Sequence, residues 1–109
     1  MAISQAMCTS FKSEILQEGH NLASDTLKIA LYTSSASLGA STTAFTTSNE
    51  ISGTGYSSGG VTLTNPAVST TGTTAHFDAD DPTWTSASFT ANGALIYNSS
   101  NSNKAIAVL

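Results

Sequence analysis

The chain has 109 residues, enough for one domain with one hydrophobic core but little stability in reserve. Its seven acidic and three basic side chains give a formal net charge of −4, and Lys12, Lys28 and Lys104 cannot form the basic face that nucleic acid or an anionic membrane surface requires. Only 9% of residues are charged, and 18 Ser and 17 Thr take up much of the difference, which favours strands and polar loops over charged helices.

In chain order, the first signal is an apolar recurrence. Ile3, Met7, Phe11 and Ile15 fall every four residues, with Cys8 and Leu16 beside them, so residues 4–18 are expected to form an amphipathic helix. Ser4 would cap it and Gly19 would end it in a left-handed conformation. The residues before it lack the basic and long apolar regions of a signal peptide, and no stretch has the ~20 apolar residues of a membrane span. Manufacture and folding in a cytoplasm are expected. Cys8 is the only cysteine, so no disulfide can form within the chain, and its place in the apolar stripe makes it a core residue.

Residues 26–33 alternate as a strand, with Leu27, Ile29 and Leu31 expected on the core face. Residues 34–47 are mostly Ser, Thr and Ala around two apolar anchors, Leu38 and Phe45, and read as a long binding loop or an excursion toward a neighbour. A short strand at 49–51 precedes the glycine-rich stretch 52–60. That stretch lacks the Lys-Ser/Thr ending of a phosphate-binding loop and is expected to allow a bulge or tight return between strands. Residues 61–64 read as a strand, 67–72 as a loop or weak strand, and 73–78 as a strand with Ala75 and Phe77 inward. Trp84, Ala87 and Phe89 mark another. Residues 93–97 and 104–109 are expected to form an apolar hairpin around a loop of Asn and Ser, with arms that are covered on both faces or lie against a partner.

The expected architecture is therefore mainly β: an antiparallel β-sandwich or small barrel of about seven short strands, with one N-terminal amphipathic helix. A single domain spans 1–109, divided into a helical arm (1–19) and a β domain (26–109).

Chemistry is sparse. Asp78, Asp80 and Asp81 are the one acidic cluster and a weak candidate for calcium, although turn aspartates that bond their own backbone account for it equally well. His20 and His76 have no second ligand at metal spacing, and no Gly-x-Ser-x-Gly elbow supports a hydrolase. No catalytic residue and no cofactor are assigned. Tyr56, Trp84 and Tyr97 offer aromatic faces, of which Trp84 is expected to fill the core.

Four segments together carry a resemblance: Phe11-Lys12-Ser13-Glu14-Ile15-Leu16, Lys28-Ile29-Ala30-Leu31-Tyr32-Thr33-Ser34-Ser35-Ala36, Asn49-Glu50-Ile51-Ser52-Gly53-Thr54-Gly55-Tyr56, and Trp84-Thr85-Ser86-Ala87 with Gly93-Ala94-Leu95-Ile96-Tyr97-Asn98. As a set they resemble a family of small structural proteins of tailed bacteriophages. The resemblance implies a virion component and brings no enzymatic residues. Members of that family run on past the position of Leu109 with a further glycine-rich turn and strand, so the last strand here is expected at an edge that needs a partner.

The implied function is capsid decoration or cementing by protein–protein packing, with other virion proteins and further copies of the chain as partners, and with no nucleic acid or membrane involved. A tail, neck or fibre adhesin is the alternative, and a small hydrolase the remote one. The candidate interaction residues are Met7, Phe11, Ile15, Leu38, Phe45, Tyr56, Ile106 and Val108.

Overall fold

The computed structural model describes residues 3–17, 19–80, 82–84 and 87–109. The chain is mainly β, with seven strands in antiparallel sheets and one short N-terminal helix. In order these are β1 (Ala6–Met7), α1 (Thr9–Ile15), β2 (Leu27–Tyr32), β3 (Val61–Thr62), β4 (Ala67–Thr71), β5 (Thr74–Asp78), β6 (Gly93–Asn98) and β7 (Lys104–Val108). Five strands form one sheet in the order β1-β7-β6-β2-β3, and β4 and β5 form a separate hairpin. The sheets do not close into a barrel.

Three strands hold the molecule together. β2, β6 and β7 are the apolar runs of the sequence, and Leu27, Ala30, Tyr32, Leu95, Tyr97, Ala105 and Val108 are all buried. The register Leu27↔Asn98, Ile29↔Ile96, Leu31↔Ala94 puts these residues on one face, and Lys28↔Tyr97, Ala30↔Leu95 on the other. The second face lies under the 34–60 region: Phe45 stacks on Tyr97 with centroids 4.6 Å apart, Tyr32 Oη donates to the Thr46 carbonyl at 2.6 Å, and Tyr97 Oη donates to the Gly59 carbonyl at 2.7 Å. The first face lies toward α1 and β5, whose Phe11 and Phe77 join the core cluster. Coverage on both sides explains why Tyr32 is fully buried while Leu31, expected inward, is only half-buried. Between β6 and β7 the register slips by one at Ile96/Tyr97, so Ile106 forms a bulge and its side chain also turns inward.

The N-terminal helix is shorter than its spacing indicates. α1 covers only Thr9–Ile15, Cys8 caps it without a side-chain bond, and residues 3–7 are extended. A four-residue recurrence is also an even one, so Ile3 and Met7 satisfy a strand as well as a helix. The open edge of β7 decides between them, taking Ala6 and Met7 as partners of Val108 and Ala107. The arm thus supplies a strand to the sheet rather than standing apart. Position 18, the expected helix end, lies outside the described residues. Gly19 is needed for room rather than handedness: its N–H donates to the Glu14 carbonyl at 2.7 Å, and a Cβ would lie 2.9 Å from that oxygen.

Residues 34–47, expected as a binding loop or an excursion toward a neighbour, are bonded to the body of the chain. Ser4 N–H donates to the Leu38 carbonyl and Thr9 N–H to the Ala40 carbonyl, each at 2.8 Å, which zips the loop to the N-terminal arm. Ala105 N–H donates to Thr43 and Phe45 N–H to Asn103, while Cys8 N–H donates to Ile106. The loop and arm together cover the outer edge of β7, which is therefore not the edge that the resemblance implied. Leu109 itself exchanges two backbone bonds with Ala94 on β6.

On the opposite side, the outer side of β2 is taken up in the same way. β3 pairs with Lys28 and Ile29, Leu63 N–H donates to Leu27, and Ile51 N–H donates to Leu31. Between these segments the Leu31 N–H donates to a side chain, the Tyr56 hydroxyl, at 3.1 Å. That hydroxyl donates in turn to the Glu50 carboxylate, which also accepts from Ser58 Oγ at 2.9 Å and Gly59 N–H at 2.7 Å. Glu50 is thus the post around which the glycine-rich stretch winds. That stretch is the tight return expected, and Gly60 is its tightest point: φ is +80°, and a Cβ would lie 1.8 Å from the Ile29 carbonyl oxygen.

The hairpin is different in kind. β4 is exposed along its whole length, and on β5 only Phe77 is half-buried; Ala75, expected inward, is exposed. Gly72 (φ +60°) and Thr73 make a two-residue turn between Thr71 and Thr74, with glycine at the first central position, as the twist of a hairpin favours. The strand expected near Trp84 is reduced to one bridge, Thr54↔Ser88, with Thr85 and Ser86 outside the described residues.

Candidate interaction surface

The first face of the main sheet carries two attachments, α1 and the β4–β5 hairpin, with an open cleft of about 660 Å³ between them. Met7, Phe11 and Ile15 line one wall, Val68, Ala75, His76 and Phe77 the other, and His20, Asn21 and Leu22 one end. The expected helical stripe survives in part: Phe11 and Ile15 come from α1 and Met7 from β1, and all three meet the cleft. Phe11 is anchored in the core, whereas Met7 is 52% exposed and Ile15 40% exposed. Across the cleft Val68 is 53% exposed, and Leu16, next to Ile15, is 87% exposed. Of the five large hydrophobic side chains that are exposed among the described residues, these four lie at or beside one cleft. Scattered exposed apolar residues are ordinary on a monomer; a gathered group marks a contact surface.

The other candidates are placed elsewhere. Leu38, Ile106 and Val108 are buried in the core, so their side chains are out of a partner's reach. Phe45 is half-buried against Tyr97. Tyr56 is half-buried and committed to Leu31 and Glu50; its ring stacks on Trp84 at 6.4 Å and meets the edge of Phe89 at 5.7 Å. Burial, with the Glu50 carboxylate beside it, pushes the Tyr56 hydroxyl well above the usual tyrosine value. Trp84 packs against the core, as expected, and its Nε1 is buried without an acceptor among the described residues.

The floor of the cleft is stiffened by a polar chain. Asn98, fully buried at the end of β6, donates from Nδ2 to Asp25 Oδ2 at 2.8 Å and to His20 Nδ1 at 2.9 Å, while its Oδ1 accepts from Ser100 N–H at 2.9 Å. A carboxylate can only accept and an N–H can only donate, so the Asn98 amide has one orientation. His20 Nδ1 is then an acceptor, and its proton sits on Nε2, 2.8 Å from Glu14 Oε1. The chain ties α1 to β6 through two loops, and Lys104 Nζ reaches the other Glu14 oxygen at 3.8 Å. Bonds from Asn21 N–H and from Asn98 hold the Asp25 carboxyl below its ordinary value. The Cys8 thiol is pushed up by burial and, secondarily, by Glu14.

The aspartates of the acidic cluster have separate partners. Asp78 accepts from its neighbour Ala79 N–H at 2.8 Å, Asp80 accepts from Asn65 Nδ2, and Asp81 lies outside the described residues. Among the described residues no three His, Cys, Asp or Glu side chains gather in one place. His76 bonds Ser69 Oγ at 3.1 Å across the exposed hairpin as an ordinary cross-strand pair. No described helix is long and apolar enough to cross a membrane.

No family model, curated protein or solved structure matches the chain. The surface must therefore be read from its own chemistry. Sequence reasoning missed Val68, Leu22 and His20 as lining residues. Val68 carried a faint signal, a β-branched apolar residue in a hydroxyl-rich stretch; His20 carried none.

Proposed function

We propose that the chain is a structural subunit that works by protein–protein packing, with the cleft between α1 and the β4–β5 hairpin as its contact surface. The observation that carries this reading is the gathering of Met7, Ile15 and Val68 at one open cleft, with Leu16 beside Ile15, in a chain rich in Ser and Thr of which only 9% is charged. Such a surface suits an apolar segment of a neighbouring subunit, held by buried area rather than by ion pairs. The setting we propose is a tailed-phage virion, where the chain decorates or cements the capsid. That setting is supported by the sequence resemblance alone, and the packing reading does not depend on it.

Quantitative mass spectrometry of gradient-purified particles tests the setting. Hundreds of copies per particle are expected. A handful, in multiples of three, five, six or twelve, would move the subunit to the tail, neck or fibres, and none would end the virion reading. Binding of the Val68→Asp, Ile15→Asp double variant to shells tests the surface. Both positions are exposed, so the fold is retained and binding is expected to fall at least tenfold; unchanged binding would exclude the cleft.

A further inference from the structure

We propose that β4 is a self-association strand: two copies join edge to edge through it, antiparallel about a two-fold axis at Ser69, and the two hairpins become one four-stranded sheet. The inference rests on the packing reading only in treating the hairpin as a contact surface.

The argument starts from the turn. A two-residue loop makes its flanking residues, Thr71 and Thr74, a hydrogen-bonded pair. Antiparallel pairing then alternates, so Ser69/His76 and Ala67/Asp78 are the next bonded pairs. Val68 and Thr70 lie between them, and their N–H and C=O groups point out of the hairpin along β4. No described residue bonds those groups, and all five residues of β4 are exposed. The outer sides of β7 and β2, by contrast, are taken up by other parts of the chain, and the edge strands β1 and β3 are only two residues long. An exposed strand edge is a template for another strand, and charges are a common way of blocking it. β4 has no charge at all: its sequence is Ala-Val-Ser-Thr-Thr.

The spacing is also self-complementary. With the axis at Ser69, Val68 faces Thr70 of the second copy and Thr70 faces its Val68. Each such pair exchanges two backbone bonds, and Ser69 faces Ser69 as a non-bonded pair. The apposed side chains are β-branched or small, which suits a pleated surface. None of the chain's formal charge of −4 lies on β4, so like-charge repulsion falls away from the seam. Val68 and Thr70 share the face of Phe77 and Ala75, so pairing sets the two clefts side by side. The edge of β5 is the poorer choice. An axis there would set His76 against His76, an imidazole already bonded to Ser69 and Thr71, and Phe77 is held against the body.

Sedimentation velocity of the full chain over a concentration series, with oxidative cross-linking of single-cysteine additions, tests this. The wild type is expected to show a reversible monomer–dimer equilibrium. Thr70→Pro removes an N–H that the hairpin does not use internally, and proline is tolerated at such edge positions. It is expected to stay monomeric while keeping the wild-type circular dichroism. Ser69→Cys places two thiols across a non-bonded pair with Cα atoms about 4.5 Å apart, within disulfide range. It is expected to cross-link several-fold faster than Thr71→Cys, with the wild type as control because Cys8 is buried. A wild type that is monomeric at every concentration, or equal cross-linking at both positions, overturns the proposal. A monomer that still binds shells overturns self-association and leaves the packing reading standing; a dimer that binds none upholds self-association and ends that reading.

Discussion

The main sheet and the β4–β5 hairpin solve the problem of strand edges in opposite ways. Along β7 and along β2, short irregular segments and even a tyrosine hydroxyl take up the outward backbone groups. Along the hairpin, no described residue does so. The long strands β7 and β2 have their outer sides taken up and a core on both faces; the hairpin has open edges and one half-buried anchor, Phe77. A two-stranded hairpin is marginal in water by itself. The difference therefore separates the part of the chain that folds from the part that is available for contact.

The two glycine turns break the comparison most sharply. Gly60→Ala sets a methyl against the Ile29 carbonyl in a left-handed backbone and should cost on the order of 4 kcal/mol or prevent folding. Gly72→Ala, with nothing within 4 Å of the new methyl, should cost about 1 kcal/mol, the strain of a positive φ alone. Urea midpoints of the two variants measure both. Core truncation comes next. Leu95→Ala, at a fully buried site on β6, should cost about 3 kcal/mol. Val68→Ala on β4 should stay within about 0.5 kcal/mol.

The seal along β2 can be opened by one atom. Tyr56→Phe leaves the Leu31 N–H without its acceptor and the Glu50 carboxylate short of a donor, for a loss of about 1–3 kcal/mol. The mildest probe is pH. Burial raises the hydroxyls of Tyr32, to about 12, and of Tyr56 and Tyr97. A raised folded value means that protons are held more tightly in the folded state. The associated stability is complete below the ordinary tyrosine value of about 10 and is lost as pH rises toward the folded values. Urea midpoints should fall across that window, and Tyr32→Phe should flatten part of the fall. β4 and β5 contain no tyrosine, so the hairpin has no share in it.

How much of this was legible in the sequence follows the same division. β2, β6 and β7 could be read because burial writes itself into apolar residues, as in Gly93-Ala94-Leu95-Ile96-Tyr97. The seals could not, because they are made largely by backbone groups, and a sequence says nothing about the partners of those; hence residues 34–47 read as a binding loop or an excursion toward a neighbour. The N-terminal helix was overextended because the spacing of Ile3 and Met7 fits both periods. Asn98 read as the start of a loop although it is buried, since its reason, a bridge from Asp25 to His20, spans 73 and 78 residues of sequence. The cleft was half legible: Met7, Phe11 and Ile15 stood out as a stripe, while on the opposite wall Val68 stood in a stretch that read as a loop or weak strand, and Ala75 and Phe77 read as core-facing residues of a strand rather than as lining.

The most direct test of the contrast is amide hydrogen exchange of the dilute chain, read residue by residue by NMR. The sealed-edge account predicts slow exchange at Cys8, Leu31 and Ala105, comparable to the interior of β6, and fast exchange at Val68 and Thr70. Protection of Val68 and Thr70 equal to that of β6, or rapid exchange at Leu31 and Ala105, would contradict it.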